Sequence, residues 1–143
     1  MKSFISNRWG RILILHLTKG EKLLESIQQE TQRLGIKNAV VISGIGAMRQ
    51  VGYHYITTTE DFATNQYVTT KGPVELGSVQ GLILDGEPHL HISSADPQRP
   101  FIGHLENDTE VQYLAEITIA EILDLNLTRQ PDAFGIRCIT EKE

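Results

Sequence analysis

The chain has 143 residues, and 40% of them are hydrophobic, which is enough to fill the core of one domain of ordinary size. The 13 lysines and arginines are outnumbered by 18 aspartates and glutamates. With neutral histidines the net charge is therefore −5, which disfavours unassisted binding to polyanions such as nucleic acids.

The compartment is predicted from what the sequence lacks. No apolar run reaches the ~18–20 residues that a membrane-spanning helix needs, and no small-residue cleavage site follows the first apolar stretch. The single cysteine, Cys138, excludes an internal disulfide and is interpreted as a small buried hydrophobe. We therefore predict one soluble, cytoplasmic domain over residues 1–143, with no membrane partner.

The first two predicted elements are a strand and a helix. Residues 11–17, RILILHL, have no polar face, which is typical of a strand covered on both sides. Thr18 and Glu21 then match a capping box at a helix start, and Gly35 can adopt the left-handed conformation that ends the helix. The apolar face of this helix consists of Leu23, Leu24, Ile27, Thr31 and Leu34.

The remainder of the chain predicts strands. Residues 38–56 are rich in β-branched side chains and are interpreted as two strands joined near Gly46–Gln50, with the glycines as bulges or points of close backbone approach. Residues 111–127 alternate well enough to favour a strand over a helix, and one further strand closes the chain near residues 131–140. One main helix packed against many antiparallel strands predicts an α+β fold.

Three of the five histidines lie within residues 85–108, DGEPHLHISSADPQRPFIGHLEND. His89 and His91 share one face of a strand, because successive side chains of a strand point to opposite faces. His104 can converge on them if the loop with two prolines turns the chain back. Three imidazoles with a fourth position open is the arrangement of catalytic zinc sites; iron, nickel or cobalt would also bind. Spacing alone leaves open a strand pair of histidines that holds no metal.

The other two histidines receive no ligand role. His16 lies in an apolar run and is interpreted as a core or interface residue, whereas His54 is interpreted as a surface or strand-pair residue. Asp85 and Glu87 flank the turn-forming Gly86 and are assigned to a solvated turn.

Three further residues are candidates for catalysis. If the metal acts as a Lewis acid, Arg49 could hold a substrate carboxylate, and Glu75 or Glu116 could move protons. The alternatives are that Arg49 is a surface residue at a strand end and that Glu116 faces solvent through strand alternation.

Five motifs in order along nearly the whole chain resemble the PPC domain, a domain conserved in plants and prokaryotes. They are ISGIGAM (42–48), GEPHLHISSAD (86–96), GHL (103–105), AEI (115–117) and QPDAFGI (130–136). The resemblance implies an antiparallel, sandwich-like sheet with a packed helix, assembled as a homotrimer. It also implies a metal held by His89, His91 and His104 near a subunit boundary. The architecture is shared with acetolactate decarboxylase, whose zinc is held by three histidines.

The chain departs from the plant members of this family in two places. It lacks the Arg-Gly-Arg-Pro hook that enters the minor groove of DNA. The motif GPVEL (72–76) keeps Gly72 and Glu75 but lacks the Arg-Phe pair used for partner contacts. DNA is therefore a candidate partner that both the net charge and the missing hook disfavour.

The sequence leaves three functions open. The first is a metal-binding, homotrimeric module that contacts DNA or a regulatory partner. The second is a metal-dependent enzyme, similar to a lyase or decarboxylase, that acts on a small oxo or hydroxy acid. In the third, the metal only makes a trimer boundary rigid.

Overall fold

The computed structural model describes residues 1–142, which contain one helix and eight strands. The helix, α1, spans Leu23–Arg33. The strands are β1 (Trp9–Thr18), β2 (Ala39–Ile56), β3 (Asn65–Leu84), β4 (Glu87–Ala95), β5 (Pro100–Leu105), β6 (Glu110–Ile122), β7 (Leu127–Pro131) and β8 (Arg137–Glu141). The predicted α+β class is confirmed. No helix among these residues has the length and apolarity that crossing a membrane requires.

Six strands form one antiparallel sheet that curls back on itself. Their order is β1-β6-β2-β3-β4-β5, and β5 also pairs with β2. In this second pairing Tyr53 lies opposite Leu105, and His54 lies opposite His104. Residues of β2 and β5 that are fifty positions apart in sequence are therefore direct neighbours. The remaining two strands, β7 and β8, form a separate antiparallel hairpin.

The helix covers one end of the core. Leu23 and Ile27 are fully buried, and the Thr31 hydroxyl, also buried, donates to the Ile27 carbonyl at 2.8 Å. Gly35 has φ +68°, which confirms the predicted left-handed end of the helix.

The predicted capping box does not cap the helix. Glu21 Oε2 accepts hydrogen bonds from the backbone N–H and the hydroxyl of Thr18, but these residues precede the N-cap, which is Lys22. Instead the N–H of Leu23 donates to the Thr109 carbonyl at 2.8 Å. A loop distant in sequence therefore satisfies a backbone donor that local sequence was expected to satisfy.

β2 is one continuous strand of 18 residues rather than two strands with a turn. A Cβ added at Gly46 would lie 2.7 Å from Ala115 Cβ and from the Leu114 carbonyl oxygen, so the glycine permits close approach of β6. Register shifts in the pairing of β2 with β6 bend the strand without reversing it. β6 is a strand, as preferred over the helical alternative.

The C-terminal segment contains two strands where the sequence predicted one. Asp132 Oδ1 accepts hydrogen bonds from the N–H groups of Phe134 and Ile136, both at 2.9 Å, and Gly135 has φ +80°. This turn reverses the chain between β7 and β8. Cys138 lies in the hairpin and is exposed, so its assignment as a buried residue is wrong.

β1 is an edge strand and is covered on one face only in the single chain. Leu17 is buried, but Ile12 and Ile14 expose 57% and 70% of their surface. The prediction that both faces are covered within the chain is therefore wrong.

Candidate metal centre

The β3–β4 hairpin places His89 and His91 on the outer face of the sheet. Asp85 and Gly86 form its two-residue turn, and both have positive φ, as a type I′ turn requires. Leu90 and Ile92 are 1% exposed and point into the core. Strand alternation therefore directs both histidines outward, where they are exposed.

β5 brings His104 to the same place, because His104 is the Cα partner of His91. The Nε2 atoms of His89 and His91 lie 3.3 Å apart, and one ring nitrogen from each of the three histidines lies within 4.8 Å of the others. The His104 ring centroid lies 4.9 Å from that of His89 and 5.4 Å from that of His91.

These donors fit a tetrahedral transition metal. Zinc–nitrogen bonds of about 2.0–2.1 Å in tetrahedral geometry separate two ligand nitrogens by roughly 3.3 Å. The His89–His91 nitrogens already have that separation. A ring nitrogen of His104 lies within 4.8 Å of both, close enough for it to be the third ligand.

The electrostatics of the cluster favour neutral imidazoles. Burial, followed by the positive charge that His54 can carry, lowers the pKa of His104 to about 4. The pKa values of His89 and His91 are also lowered, chiefly because neighbouring groups partly desolvate the two rings, although both residues keep a solvent-exposed side. All three rings therefore hold a free lone pair near neutral pH, which is the form that binds a metal.

His54 and Glu106 extend the cluster, although sequence reasoning assigned no site role to either. The His54 ring stacks on that of His104 with centroids 4.5 Å apart, and its Nδ1 lies 2.5 Å from Glu106 Oε1. His54, His104 and Glu106 form a second group of side chains close enough to share a cation. Local spacing contained no signal for this group, because only the β2–β5 pairing creates it.

The structure does not bring the three catalytic candidates to the histidines. Arg49 and Glu75 line a separate groove of about 840 Å³, where Arg49 Nη1 lies 3.4 Å from Glu110 Oε1. Glu75 lies on β3 five residues from Gln80, the partner of His91, which is about 16 Å along a strand.

Glu116 is exposed on β6, as strand alternation predicted. It faces His16, whose Nδ1 lies 3.8 Å from Glu116 Oε1. His16 is exposed too, so its interpretation as a core histidine is wrong, while an interface role stays a prediction.

The turn acids Asp85 and Glu87 pair with basic residues of the C-terminal segment. Lys142 lies 2.8 Å from Asp85, and its hydrogen bonds lower the pKa of that carboxyl group. Arg137 binds both carboxylate oxygens of Glu87. Neither acid belongs to the histidine cluster.

A buried arginine lies beside the cluster and was not singled out from the sequence. Arg129, on β7, is 7% exposed, and its Nη1 and Nη2 donate to the carbonyl oxygens of Glu87 and Leu82 at 3.2 and 3.3 Å. Leu82 is the Cα partner of His89. The positive charge of Arg129 contributes to the lowered pKa values of both His89 and His104.

The sequence profile of the Plants and Prokaryotes Conserved (PCC) domain, the domain also abbreviated PPC, matches residues 5–123. The chain belongs to this family. Among solved structures, a PPC protein from Pyrococcus horikoshii is 29% identical, with a TM-score of 0.80 and coverage of 100% of this chain and 99% of that one. A metal-containing protein from Archaeoglobus fulgidus is 25% identical, with a TM-score of 0.81 and coverage of 99% and 100%.

Segments similar to this chain also occur within longer proteins. A bifunctional protein GlmU from Synechococcus sp. (strain JA-3-3Ab) is 27% identical over 123 residues, which are 85% of this chain but 19% of that protein. The chain thus spans about a fifth of the length of the curated relatives it matches.

Proposed function

We propose that this PCC domain is a metal-binding module in which His89, His91 and His104 hold one divalent transition metal. The observation that carries the proposal is the 3.3 Å separation of the His89 and His91 Nε2 atoms, with His104 paired across from His91. The similar Archaeoglobus fulgidus protein, described as metal-containing, supports the same reading.

Zinc is the first choice of metal, because neutral imidazoles in a tetrahedral arrangement suit it; iron, nickel and cobalt are the alternatives. When bound by three histidines, such an ion supplies an open position that polarises an oxygen ligand. The chain's own contribution is to hold three neutral rings on a rigid strand pair.

Metal content of the purified protein tests the proposal. We expect about one metal ion per chain by inductively coupled plasma mass spectrometry, and a loss of at least ~10-fold in metal affinity for His91→Ala, because a two-histidine site binds weakly. His16→Ala is the matched control, since His16 is exposed on β1 and faces Glu116 instead. Equal metal binding by the wild type and His91→Ala would reject the site.

We also propose a homotrimer as the functional assembly. Apolar side chains lie on the outer face of the neighbouring strands β1, β6 and β2, around the exposed pair of His16 and Glu116, where a single chain leaves them in water. They are Ile12, Ile14, Ile42, Ile45 and Leu114, each at least 41% exposed. Contact with neighbouring copies of the chain would remove them from water.

The partner that the family resemblance implies is DNA or a regulatory protein, and the charges favour the latter. Three chains of charge −5 would carry −15, which repels a phosphate backbone. We expect no retardation of short DNA duplexes in a gel at about 50 mM salt, and a clear, salt-sensitive shift would contradict this expectation. The single cysteine fits a cytoplasmic setting.

The second candidate function is a metal-dependent enzyme, similar to a lyase or decarboxylase, that acts on a small oxo or hydroxy acid. It is favoured by the exposure of His89 and His91, which leaves the outer side of the site open to a ligand. In that case the residue that binds the acid must lie near the histidines, which neither Arg49 nor Glu75 does.

A further inference from the structure

Arg129 is a buried cation whose described partners are all neutral. It is 7% exposed, and its two terminal nitrogens donate only to the backbone carbonyls of Glu87 and Leu82. Within residues 1–142 no carboxylate lies within salt-bridge distance of it, although four other arginines have such a partner: Arg11, Arg33, Arg49 and Arg137. A buried charge without a counter-charge is costly, and here only the two carbonyl contacts offset that cost.

The nearest acid does not neutralise Arg129. Both oxygens of the Glu87 carboxylate are occupied by Arg137. Two arginines and one glutamate therefore leave one positive charge in excess at this end of the β3–β4 hairpin. A divalent cation at the histidines would add to it, and the region then attracts anions.

The guanidinium also lies next to the histidine cluster. One of its carbonyl acceptors belongs to Leu82, which pairs directly with His89 across β3 and β4. Arg129 therefore lies against the strand pair that carries His89, beside the proposed metal site.

We propose that Arg129 binds the carboxylate of a small 2-hydroxy or 2-oxo acid whose neighbouring oxygen occupies the open position of the metal. A guanidinium has five N–H donors in a planar fork, and the two carbonyls use two of them, which leaves donors for a carboxylate. This inference rests on the proposed three-histidine metal site. It assigns to Arg129 the role that the sequence suggested for Arg49, which pairs with Glu110 in another groove.

Arg129 also ties β7 to the β3–β4 hairpin through the same two carbonyl contacts, so a purely structural role is the competing explanation. A substitution of Arg129 has different effects on stability and on ligand affinity in the two cases. A structural arginine affects stability alone, whereas an anion-binding arginine affects the affinity for a charged ligand and leaves that for its neutral analogue unchanged.

Calorimetric titration of the zinc-loaded protein with lactate and with lactamide separates these roles. Lactamide keeps the hydroxyl group of lactate but has no negative charge. We expect the wild type to bind lactate at least ~10-fold more tightly than lactamide. Arg129→Lys should lower the affinity for lactate at least ~10-fold and leave the affinity for lactamide unchanged, because lysine keeps the charge but loses the planar fork of N–H donors. Arg49→Lys is the matched control and should bind lactate like the wild type.

Zinc content, measured on each sample, distinguishes failure of this inference from failure of the metal site. A wild type that takes up no zinc overturns both. A zinc-loaded wild type that does not prefer lactate over lactamide, or an Arg129→Lys variant that binds lactate unchanged, overturns the inference alone. If circular dichroism shows that Arg129→Lys does not fold, the inference is tested by the wild type alone. It is then overturned if the wild type binds lactate no more tightly than lactamide.

Discussion

Glu121 carries a negative charge inside the protein, with 10% of its side chain exposed. Arg11 binds both of its oxygens at 2.7 Å, and this hydrogen bonding, above all, holds the pKa of the Glu121 carboxyl below its usual range. A carboxyl group with a lowered pKa stabilises the folded state above its unfolded pKa of about 4.3 and loses that contribution as the pH falls through the folded pKa.

We therefore predict that Glu121→Gln destabilises the protein by about 1 kcal/mol at pH 7, a modest value because the partner Arg11 is half exposed and solvent screens the pair. The difference from the wild type should shrink as the pH falls below about 4.3, where the Glu121 carboxylate of the unfolded chain takes up a proton before that of the folded chain does. Urea unfolding of both proteins at a series of pH values measures this difference in the free energy of unfolding.

Glu30→Gln is the control for this prediction. Glu30 pairs with Arg33 one turn along α1. Because Arg33 is largely exposed, loss of this ion pair should change the free energy of unfolding little. A difference at pH 7 that persists unchanged at pH 3 would contradict the assigned role of Glu121.

The candidate site shows which single-residue properties can be read from sequence. The period of two in a strand predicts that His89 and His91 share a face, and the buried Leu90 and Ile92 bear this out. His54 lies in an equally regular strand but gains its place beside His104 only from the β2–β5 pairing. Local spacing cannot predict a neighbour that is fifty residues away.

At the scale of elements, β2 depends on a close approach to β6. The missing side chain of Gly46 lets Ala115 and the Leu114 carbonyl come near, and an added Cβ would lie 2.7 Å from each. Backbone cannot yield as a flexible side chain can, so the strands must shift apart. We predict that Gly46→Ala costs about 1–3 kcal/mol in the free energy of unfolding.

The matched control is Gly77→Ala in β3. An added Cβ there has one neighbour, the Ser93 carbonyl oxygen, at 3.4 Å, which is ordinary contact. We expect this variant to unfold within about 0.5 kcal/mol of the wild type in urea, because nothing is displaced. Equal losses in the two variants would show that general strand propensity, not contact with β6, explains the Gly46 effect.

Element boundaries were predictable where local chemistry decides them. Gly35 ends α1 because a positive φ suits glycine, and alternation identified β6. Thr18 and Glu21 were misassigned as a cap, because the loop before β6 supplies the acceptor for Leu23. The supposed turn in β2 failed for a related reason, since its glycines serve packing between strands and not chain reversal.

At the scale of the whole molecule, the outer face of β1, β6 and β2 exposes several large apolar side chains, as surfaces that bind another protein chain do. We predict that light scattering after gel filtration gives about three times the chain mass of 16.0 kDa. Ile14→Glu should reduce this to one chain mass, because Ile14 is 70% exposed on this face and a carboxylate without a partner is costly to bury between copies.

Ile136→Glu on the C-terminal hairpin is the control, because Ile136 is 46% exposed but lies outside this face. It should leave the trimer intact. A wild type that elutes as one chain at micromolar concentration would reject the assembly, and the apolar face would then need another partner.

The sequence by itself determined the α+β class, the helix and its glycine end, the family, and the shared face of His89 and His91. These follow from periodicity and local motifs that act over a few residues. Only the tertiary structure decided that His54, Glu106 and Arg129 surround that pair and that Arg49 and Glu75 do not. The physical reason is that strand pairing joins segments far apart in the chain, and the register of each pair depends on packing of the whole sheet.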